Sequence, residues 1–131
     1  MSVSKSRIRI VLSAICVTLL AACSATELQP GAERIIVSKK EAPKGCKFLG
    51  AVIGEQGGAI GGAWTSNKNL AEGALNDMRN KALGMGANFV QLETNQAGVT
   101  GSGSFYSHSQ QQTDVTNTGN AYKCPPEEIG L

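Results

Sequence analysis

The clearest periodic pattern in this 131-residue chain is helical, and it extends from about residue 70 to residue 83. Asn69 precedes the pattern as the expected N-cap, and Glu72 stands three residues later, as in a capping box. Asp77 and Lys81 are spaced for an i,i+4 ion pair on the polar side. Small and apolar residues at helical spacing predict one buried stripe, made of Ala71, Ala74, Leu75, Met78, Ala82 and Met85.

Short runs rich in β-branched and other apolar residues predict four strands around this helix, at residues 34–38, 47–53, 87–93 and 115–124. The predicted order is β-β-α-β-β, and the predicted fold class is α+β. One helix packed on one face of a small, mostly antiparallel four-stranded sheet buries the apolar sides of both elements. The single globular domain is expected over residues 34–126, and residues 127–131 are expected to form a C-terminal tail.

Two glycine-rich or polar segments interrupt the predicted strands. Residues 54–62 contain five glycines in nine positions, and we expect a mobile loop there because few side chains are left to pack. This segment is not followed by the Lys-Ser/Thr pair that a phosphate-binding P-loop requires. Residues 95–114 are rich in Gly, Ser and Gln without a regular period, which predicts a flexible loop in the form of a partly disordered hairpin excursion.

The first 22 residues have the features of an export signal. Three basic residues and no acidic one precede an apolar run of 13 residues, which is shorter than the roughly 20 that a membrane-spanning helix needs. The run ends in Leu20, Ala21 and Ala22, directly before Cys23. This order resembles the bacterial lipobox, in which small residues fit the peptidase cleft and the cysteine thiol takes up a diacylglycerol.

Cys23 is therefore the predicted lipidation site, and residues 1–22 are predicted to be a cleaved signal peptide. Further acylation of the new amine would give several acyl chains, and each buried CH₂ contributes about 0.8 kcal/mol to membrane binding. The lipobox resemblance also implies the outer membrane, since Ser24 rather than Asp follows the cysteine. Residues 23–33 are then a flexible tether between the lipid and the domain. The alternative is an ordinary signal peptide with a cysteine at this place by chance.

The remaining cysteines predict a disulfide. Cys16 leaves with the signal peptide, so Cys46 and Cys124 are the thiols left beside the lipidated one. In an oxidising compartment, two such cysteines in a small exported domain are expected to pair. A redox pair is the alternative, although Cys-X-X-Cys spacing is absent, and a metal site would have only His108 as a histidine ligand. No metal site and no cofactor are predicted.

The charge balance disfavours a nucleic-acid-binding protein. The formal net charge is +2, and it becomes −1 when the three basic residues of the signal peptide are removed. His108 lies between two serines in the predicted flexible loop, where a positioned catalytic triad is not expected. We identify no catalytic residues, and the sequence predicts a non-enzymatic protein.

Five residues are candidates for an interaction surface. Trp64 follows the glycine-rich segment, and it either anchors a partner or covers the core at the start of the helix. The polar helix positions Asn76, Asp77, Arg79 and Asn80 form the densest polar cluster, and the alternative is an ordinary solvated surface. The leading prediction is an interaction or sensing module in the cell envelope. The alternative is a small-ligand or glycan-binding module with segments 54–62 and 95–114 as its rim.

Four sequence blocks carry a resemblance to a known family. They are Cys46-Lys-Phe-Leu-Gly50, Gly73-Ala-Leu-Asn-Asp-Met-Arg-Asn80, Ala82-Leu-Gly-Met-Gly-Ala-Asn88 and Tyr122-Lys-Cys-Pro125. Together they resemble the YjeI-like family of uncharacterised enterobacterial outer-membrane lipoproteins, which share a domain of unknown function. The strand–helix–strand order is also distantly similar to the stress-sensor lipoprotein RcsF, whose four-cysteine pattern and proline-rich linker are missing here. The resemblance implies an outer-membrane address and a fold, but no activity.

Overall fold

A computed structural model describes residues 24–58, 62–104 and 107–130 of the chain. Its strands are β1 (Ile36–Ser38), β2 (Lys47–Gly57), β3 (Phe89–Ser104) and β4 (Ser107–Lys123). Its helices are α1 (Asn67–Gly84) and the short α2 (Pro126–Ile129), with 3₁₀ turns at Ala32–Arg34 and Gly62–Trp64. The predicted β-β-α-β-β order and the α+β class are confirmed, and α2 occupies most of the predicted C-terminal tail.

The four strands form one mixed sheet in the order β1-β3-β4-β2. β4 lies in the middle and pairs antiparallel with both β2 and β3, whereas β1 pairs parallel with the start of β3. Two of these three strand pairings are antiparallel and one is parallel, so the sheet is mostly antiparallel, as predicted. β1 is only three residues long, so it covers β3 from Phe89 to Gln91 and no further.

α1 packs along one face of the sheet and closes the core. Leu70, Ala74, Met78 and Ala82 recur every fourth residue and are fully buried. Val52, Val90 and Val115 meet them from the three long strands. Burying a side chain of this size stabilises the fold by about 1.5–3 kcal/mol. The predicted stripe is confirmed at Ala74, Met78 and Ala82, but Ala71 is exposed and Leu70 takes its place.

The helix begins one turn earlier than the sequence predicts. Ser66 is the N-cap, and its hydroxyl accepts a hydrogen bond from the Asn69 backbone N–H at 3.2 Å. Asn69 is therefore inside the first turn, so the predicted capping box of Asn69 and Glu72 is wrong. The extra turn is polar, and a search for apolar periodicity does not detect it.

The predicted hairpin over residues 95–114 is present, and its strands are longer than the sequence predicts, because β3 continues to Ser104 and β4 begins at Ser107. β3 and β4 remain paired in register from Val99 and Gln112 out to Ser104 and Ser107. The described side chains of β3 beyond Leu92 are almost all exposed, so no apolar alternation marks this part of the strand. The hairpin is a two-stranded antiparallel ladder that is joined by cross-strand backbone hydrogen bonds.

The glycine-rich segment 54–62 is likewise no simple loop, because Gly54 to Gly57 complete β2. Gly54 lies directly under α1, and a Cβ atom there would be 2.3 Å from the Ala74 carbonyl oxygen. Gly62 lies as closely against the Thr113 backbone. These glycines permit close approach of helix, turn and sheet, which the sequence does not distinguish from flexibility.

Candidate functional site

The outer face of α1 holds the segment that precedes β1. Asn76 and Asn80 lie on the side of α1 opposite Met78, as 3.6 residues per turn require. The Asn76 side-chain amide donates to the Thr26 carbonyl at 2.9 Å. The Asn80 amide donates to the Glu27 carbonyl at 2.9 Å and accepts from the Gln29 N–H at 2.8 Å. Two asparagines thus satisfy the backbone of an extended segment, much as a neighbouring strand would.

The segment follows the helix in a defined direction. Thr26 donates from its N–H and its hydroxyl to Oε1 of Gln56, whose side chain rests on Gly73. Gly31 lies beside Leu83, near the other end of α1. The 3₁₀ turn that follows buries Ala32 completely. The structure therefore fixes the chain from Thr26 onward, which contradicts a flexible tether over this part of residues 23–33.

Asp77 and Lys81 cover the outer edge of the sheet. The Asp77 carboxylate accepts the Glu55 N–H at 2.9 Å, and the Lys81 ammonium donates to the Ile53 carbonyl at 2.9 Å. The two side chains also form the predicted i,i+4 ion pair, with an N···O distance of 2.7 Å. Since β2 is an edge strand, these bonds satisfy backbone groups that would otherwise be open to another strand.

The polar helix positions predicted as an interaction surface are thus bound within the chain. Asn76, Asp77 and Asn80 hold backbone groups as described, and Arg79 donates from Nε to the Ile35 carbonyl at 3.3 Å. These four side chains have a structural task, and this face of α1 is not free for a partner. Trp64, the fifth predicted residue, lies apart from them and is 82% exposed, so it does not cover the core.

The predicted disulfide is confirmed, and it lies where β2 begins and β4 ends. Cys46 and Cys124 are bonded, with Cα atoms 4.0 Å apart, and they join the loop before β2 to the end of β4. Asn88 supports this junction, because its side chain donates to the Cys124 carbonyl at 2.8 Å and accepts the Cys124 N–H at 2.7 Å. Its own backbone binds β1 and β4 through Ile36 and Tyr122.

Asn88 is a residue that sequence reasoning missed. It ends the Ala82–Asn88 block of the family resemblance, but an asparagine between a helix and a strand is also an ordinary turn residue. The signal that was available is its place beside Gly86, which has the left-handed φ of +78° that ends the helix. A sequence cannot show that its side chain pairs with a cysteine 36 residues away.

The face of the sheet opposite α1 remains largely uncovered. Phe48 is 56% exposed and packs edge-to-face on Tyr122, with ring centroids 5.6 Å apart. Ile53 is 47% exposed and pairs with Thr118, which hydrogen-bonds Thr94. We refer to this mixed surface around Phe48, Tyr122, Ile53 and Thr118 as the open face.

The two segments predicted to form a ligand rim meet at one shallow cleft. Glu55–Gly58 and Asp114–Thr116 line a cavity of about 200 Å³ where β2 ends beside β4. Typical small-molecule sites enclose roughly 300–1,000 Å³. The cleft is smaller than that, and its lining consists of two glycines, one valine and four polar or acidic residues.

Two further observations concern the described ranges of the chain. No three His, Cys, Asp or Glu side chains lie together there in a metal-binding arrangement. No helix there is both long and apolar enough to cross a membrane. The predicted signal peptide, the predicted lipobox residues Leu20, Ala21 and Ala22, and Cys23 lie outside the described residues, as do the side-chain surroundings of His108.

Comparisons with known proteins identify the family. Residues 26–124 match a family described as a domain of unknown function (DUF4156). The chain is 28% identical over 108 residues to the uncharacterized protein YjeI of Escherichia coli K12, covering 82% of this chain and 87% of YjeI. YjeI from E. coli O6:H1 and from Shigella flexneri match equally. The family match begins at Thr26, which α1 holds, and ends at Cys124 of the disulfide. The chain therefore belongs to the DUF4156 family.

Proposed function

We propose that this protein is an exported lipoprotein of the outer membrane, and that its domain binds a partner in the periplasm rather than catalysing a reaction. The observation that carries the proposal is the disulfide between Cys46 and Cys124 in a chain whose residues 20–23 resemble a lipobox. Disulfides persist in oxidising compartments, which is where the lipobox would deliver the domain. The disulfide supports export to such a compartment, and the resemblance to a lipobox supports the membrane anchor.

The anchor is Cys23, and Ser24 directs the acylated protein to the outer membrane. Two or three acyl chains hold a protein in a bilayer far more firmly than one chain does. The folded domain then lies on the periplasmic side. The distant similarity to RcsF remains a prediction from the sequence, and it agrees with a role in sensing the envelope.

The open face is the surface that the fold leaves for a protein partner. α1 and the segment 26–34 occupy the opposite face, whereas Phe48 and Ile53 expose apolar area beside polar Thr118. Exposed aromatic residues surrounded by polar groups are typical of binding surfaces. The polar side chains of α1, by contrast, form hydrogen bonds within the chain.

Lipidation is tested by replacing the two N-terminal cysteines separately. Cys23→Ala should abolish both processing and partition into detergent, because no thiol remains for the diacylglycerol. Cys16→Ala is the matched control and should change neither. The mass of the N-terminal peptide of the mature protein should show an acylated Cys23. A free thiol at Cys23, or an intact leader on the mature protein, would refute the anchor.

Partner binding is tested by crosslinking in living cells. A photo-crosslinking phenylalanine analogue in place of Phe48 should give a discrete adduct with an envelope protein. The same analogue in place of Glu127, which is exposed on α2, is the control and should not give that adduct. Identical adducts from both positions, or none from Phe48, would contradict binding at the open face.

A ligand-binding role is the second candidate, and the cleft at the end of β2 is the observation that favours it. It joins the two segments of the predicted rim through the pair Gly57 and Asp114. Soluble peptidoglycan fragments should then shift the NMR signals of Gly57 and Thr116, and Thr116→Val should weaken that binding. Absence of shifts at millimolar fragment concentration would exclude this candidate for glycans.

A further inference from the structure

We infer that the helix-side surface around Trp64 is apposed to the bilayer, with the Trp64 ring in the lipid headgroup layer. This inference rests on the proposed acylation of Cys23. It adds an orientation to the anchor: the domain does not swing on a long tether but is held against the phospholipid surface through one defined side.

The direction of the N-terminal segment gives the first argument. Going backward along the chain, Gly31 lies beside Leu83, Gln29 beside Asn80, and Thr26 beside Asn76. The chain therefore leaves the domain toward the N-terminal end of α1. Thr26 also binds the Gln56 side chain, which contacts Gly73 of α1. Asn67, the first residue of α1, is six residues before Gly73, or about 9 Å along the helix axis.

The short distance from Thr26 to the proposed anchor gives the second argument. Thr26 is three positions after Cys23, and an extended chain covers at most about 3.6 Å per position, or roughly 11 Å. The acylated cysteine can thus reach the level of the first turn of α1 but cannot place the domain far from the lipid. The bilayer surface must lie close to this end of the helix.

Trp64 lies at that end and is the most exposed large apolar side chain of the described residues, at 82%. The 3₁₀ turn Gly62–Trp64 precedes α1 directly, and Gly62 lies against Thr113 of β4. Because the turn is fixed to the sheet, the position of Trp64 is fixed as well. Tryptophan is enriched where membranes meet water, since its ring is apolar and its N–H can still find a polar partner.

The neighbouring surface is compatible with lipid headgroups. The first turn of α1 contains Lys68 and uncharged polar residues but no acidic residue. Val99, which is 57% exposed, pairs with Gln112, next to the Thr113 backbone on which Gly62 packs. The strand segment from Thr94 to Ser104 carries no charged residue that would need to be desolvated at the lipid surface.

The experiment uses Trp64 as its own probe, because it is the only tryptophan in the chain. The full-length acylated protein is reconstituted into phosphatidylcholine–phosphatidylethanolamine vesicles with and without brominated lipid. Trp64 emission should shift to shorter wavelength and lose intensity in the brominated vesicles. A double variant, Trp64→Phe with Phe48→Trp, moves the probe to the open face and should show neither effect.

A second variant separates the orientation from the anchor. Asn76→Ala with Asn80→Ala removes the bonds that hold segment 26–34, so the protein should still float with vesicles while quenching of Trp64 decreases. Flotation without quenching of Trp64 in the unmodified protein would overturn the orientation and leave the lipoprotein proposal intact. Equal quenching at both probe positions, or a blue shift without quenching, would overturn it too. Failure to float would refute the anchor and the orientation together.

Discussion

The two ends of the β3–β4 ladder are stabilised in different ways. At the disulfide end, around Asn88 and Cys124, β4 is flanked by β2 and β3, β1 adds a fourth strand, and α1 covers one face. At the hairpin end, β2 stops opposite Asp114 and β1 has already stopped opposite Gln91. Beyond Val99, the described parts of β3 and β4 pair only with each other.

This contrast shows where the stability of the domain resides. The covalent crosslink, the bidentate asparagine and most of the buried side chains are all at or near the disulfide end. The described residues of the hairpin end have no third strand beside them, and two-stranded regions open locally at lower cost. Substitutions should therefore have effects that decrease along the ladder from Cys124 toward Ser104.

The largest effect is expected from Cys46→Ser. The disulfide joins residues 78 positions apart, and the chain-entropy model assigns about 4 kcal/mol to a loop of this length. The melting temperature should fall by roughly 15 °C or more for a domain of this size. Reducing the unmodified protein should give the same decrease. An unchanged melt in non-reducing buffer would show that the disulfide end does not dominate stability.

Gly54→Ala tests the helix–sheet contact between the two ends. The new Cβ would lie 2.3 Å from the Ala74 carbonyl oxygen, so helix and sheet must move apart at a cost of about 3 kcal/mol. Gly84→Ala is the matched control, since nothing lies within 4 Å of its Cβ position. Urea unfolding of both variants measures the difference, and equal stability would contradict the close packing.

Asn88→Ala tests how much hydrogen bonding stabilises the disulfide end while the crosslink stays intact. It deletes two hydrogen bonds to the Cys124 backbone and leaves those groups without their partner, at a cost of about 2 kcal/mol. Asn120→Ala, which removes one exposed bond to Glu93, should cost far less in the same unfolding assay. If the two variants were equally stable, the two hydrogen bonds of the Asn88 side chain would contribute no more to stability than one exposed hydrogen bond.

The smallest effect is expected at the hairpin end, from Val99→Ser. This side chain is already 57% exposed, so its loss should change the free energy of unfolding by no more than about 0.5 kcal/mol. Chemical denaturation of the non-acylated protein in solution provides the measurement. A destabilisation comparable to that of Asn88→Ala would mean that the hairpin is part of the cooperative core.

The sequence predicts the elements whose apolar side chains are buried, and it predicts less well the strand pairing that depends on backbone hydrogen bonds. The apolar period predicts α1 and its core residues Met78 and Ala82, and the two thiols that remain after the predicted processing lead to the Cys46–Cys124 pair. The full length of the hairpin strands is not predicted, because the described β3 side chains beyond Leu92 are almost all exposed and give no apolar alternation.

The candidate site was less accessible to sequence reasoning for a related reason. Asn76 and Asn80 look like solvent-exposed helix positions, because a side chain that binds a distant backbone has the same polarity as one that binds water. Their partners, Thr26 and Gln29, are about 50 residues away along the chain. The sequence leaves open whether Trp64 covers the core or anchors a partner, and only the structure shows that its side chain is exposed beside β4.

The packing of the N-terminal segment on α1 determines where this protein can be trimmed. A shortened version that starts at residue 34 would strip Thr26, Gln29 and Ala32 from the helix and leave Asn76 and Asn80 without their partners. Recombinant versions made for biophysical work should therefore keep every residue from Thr26 onward, and fusion tags belong at the C-terminus.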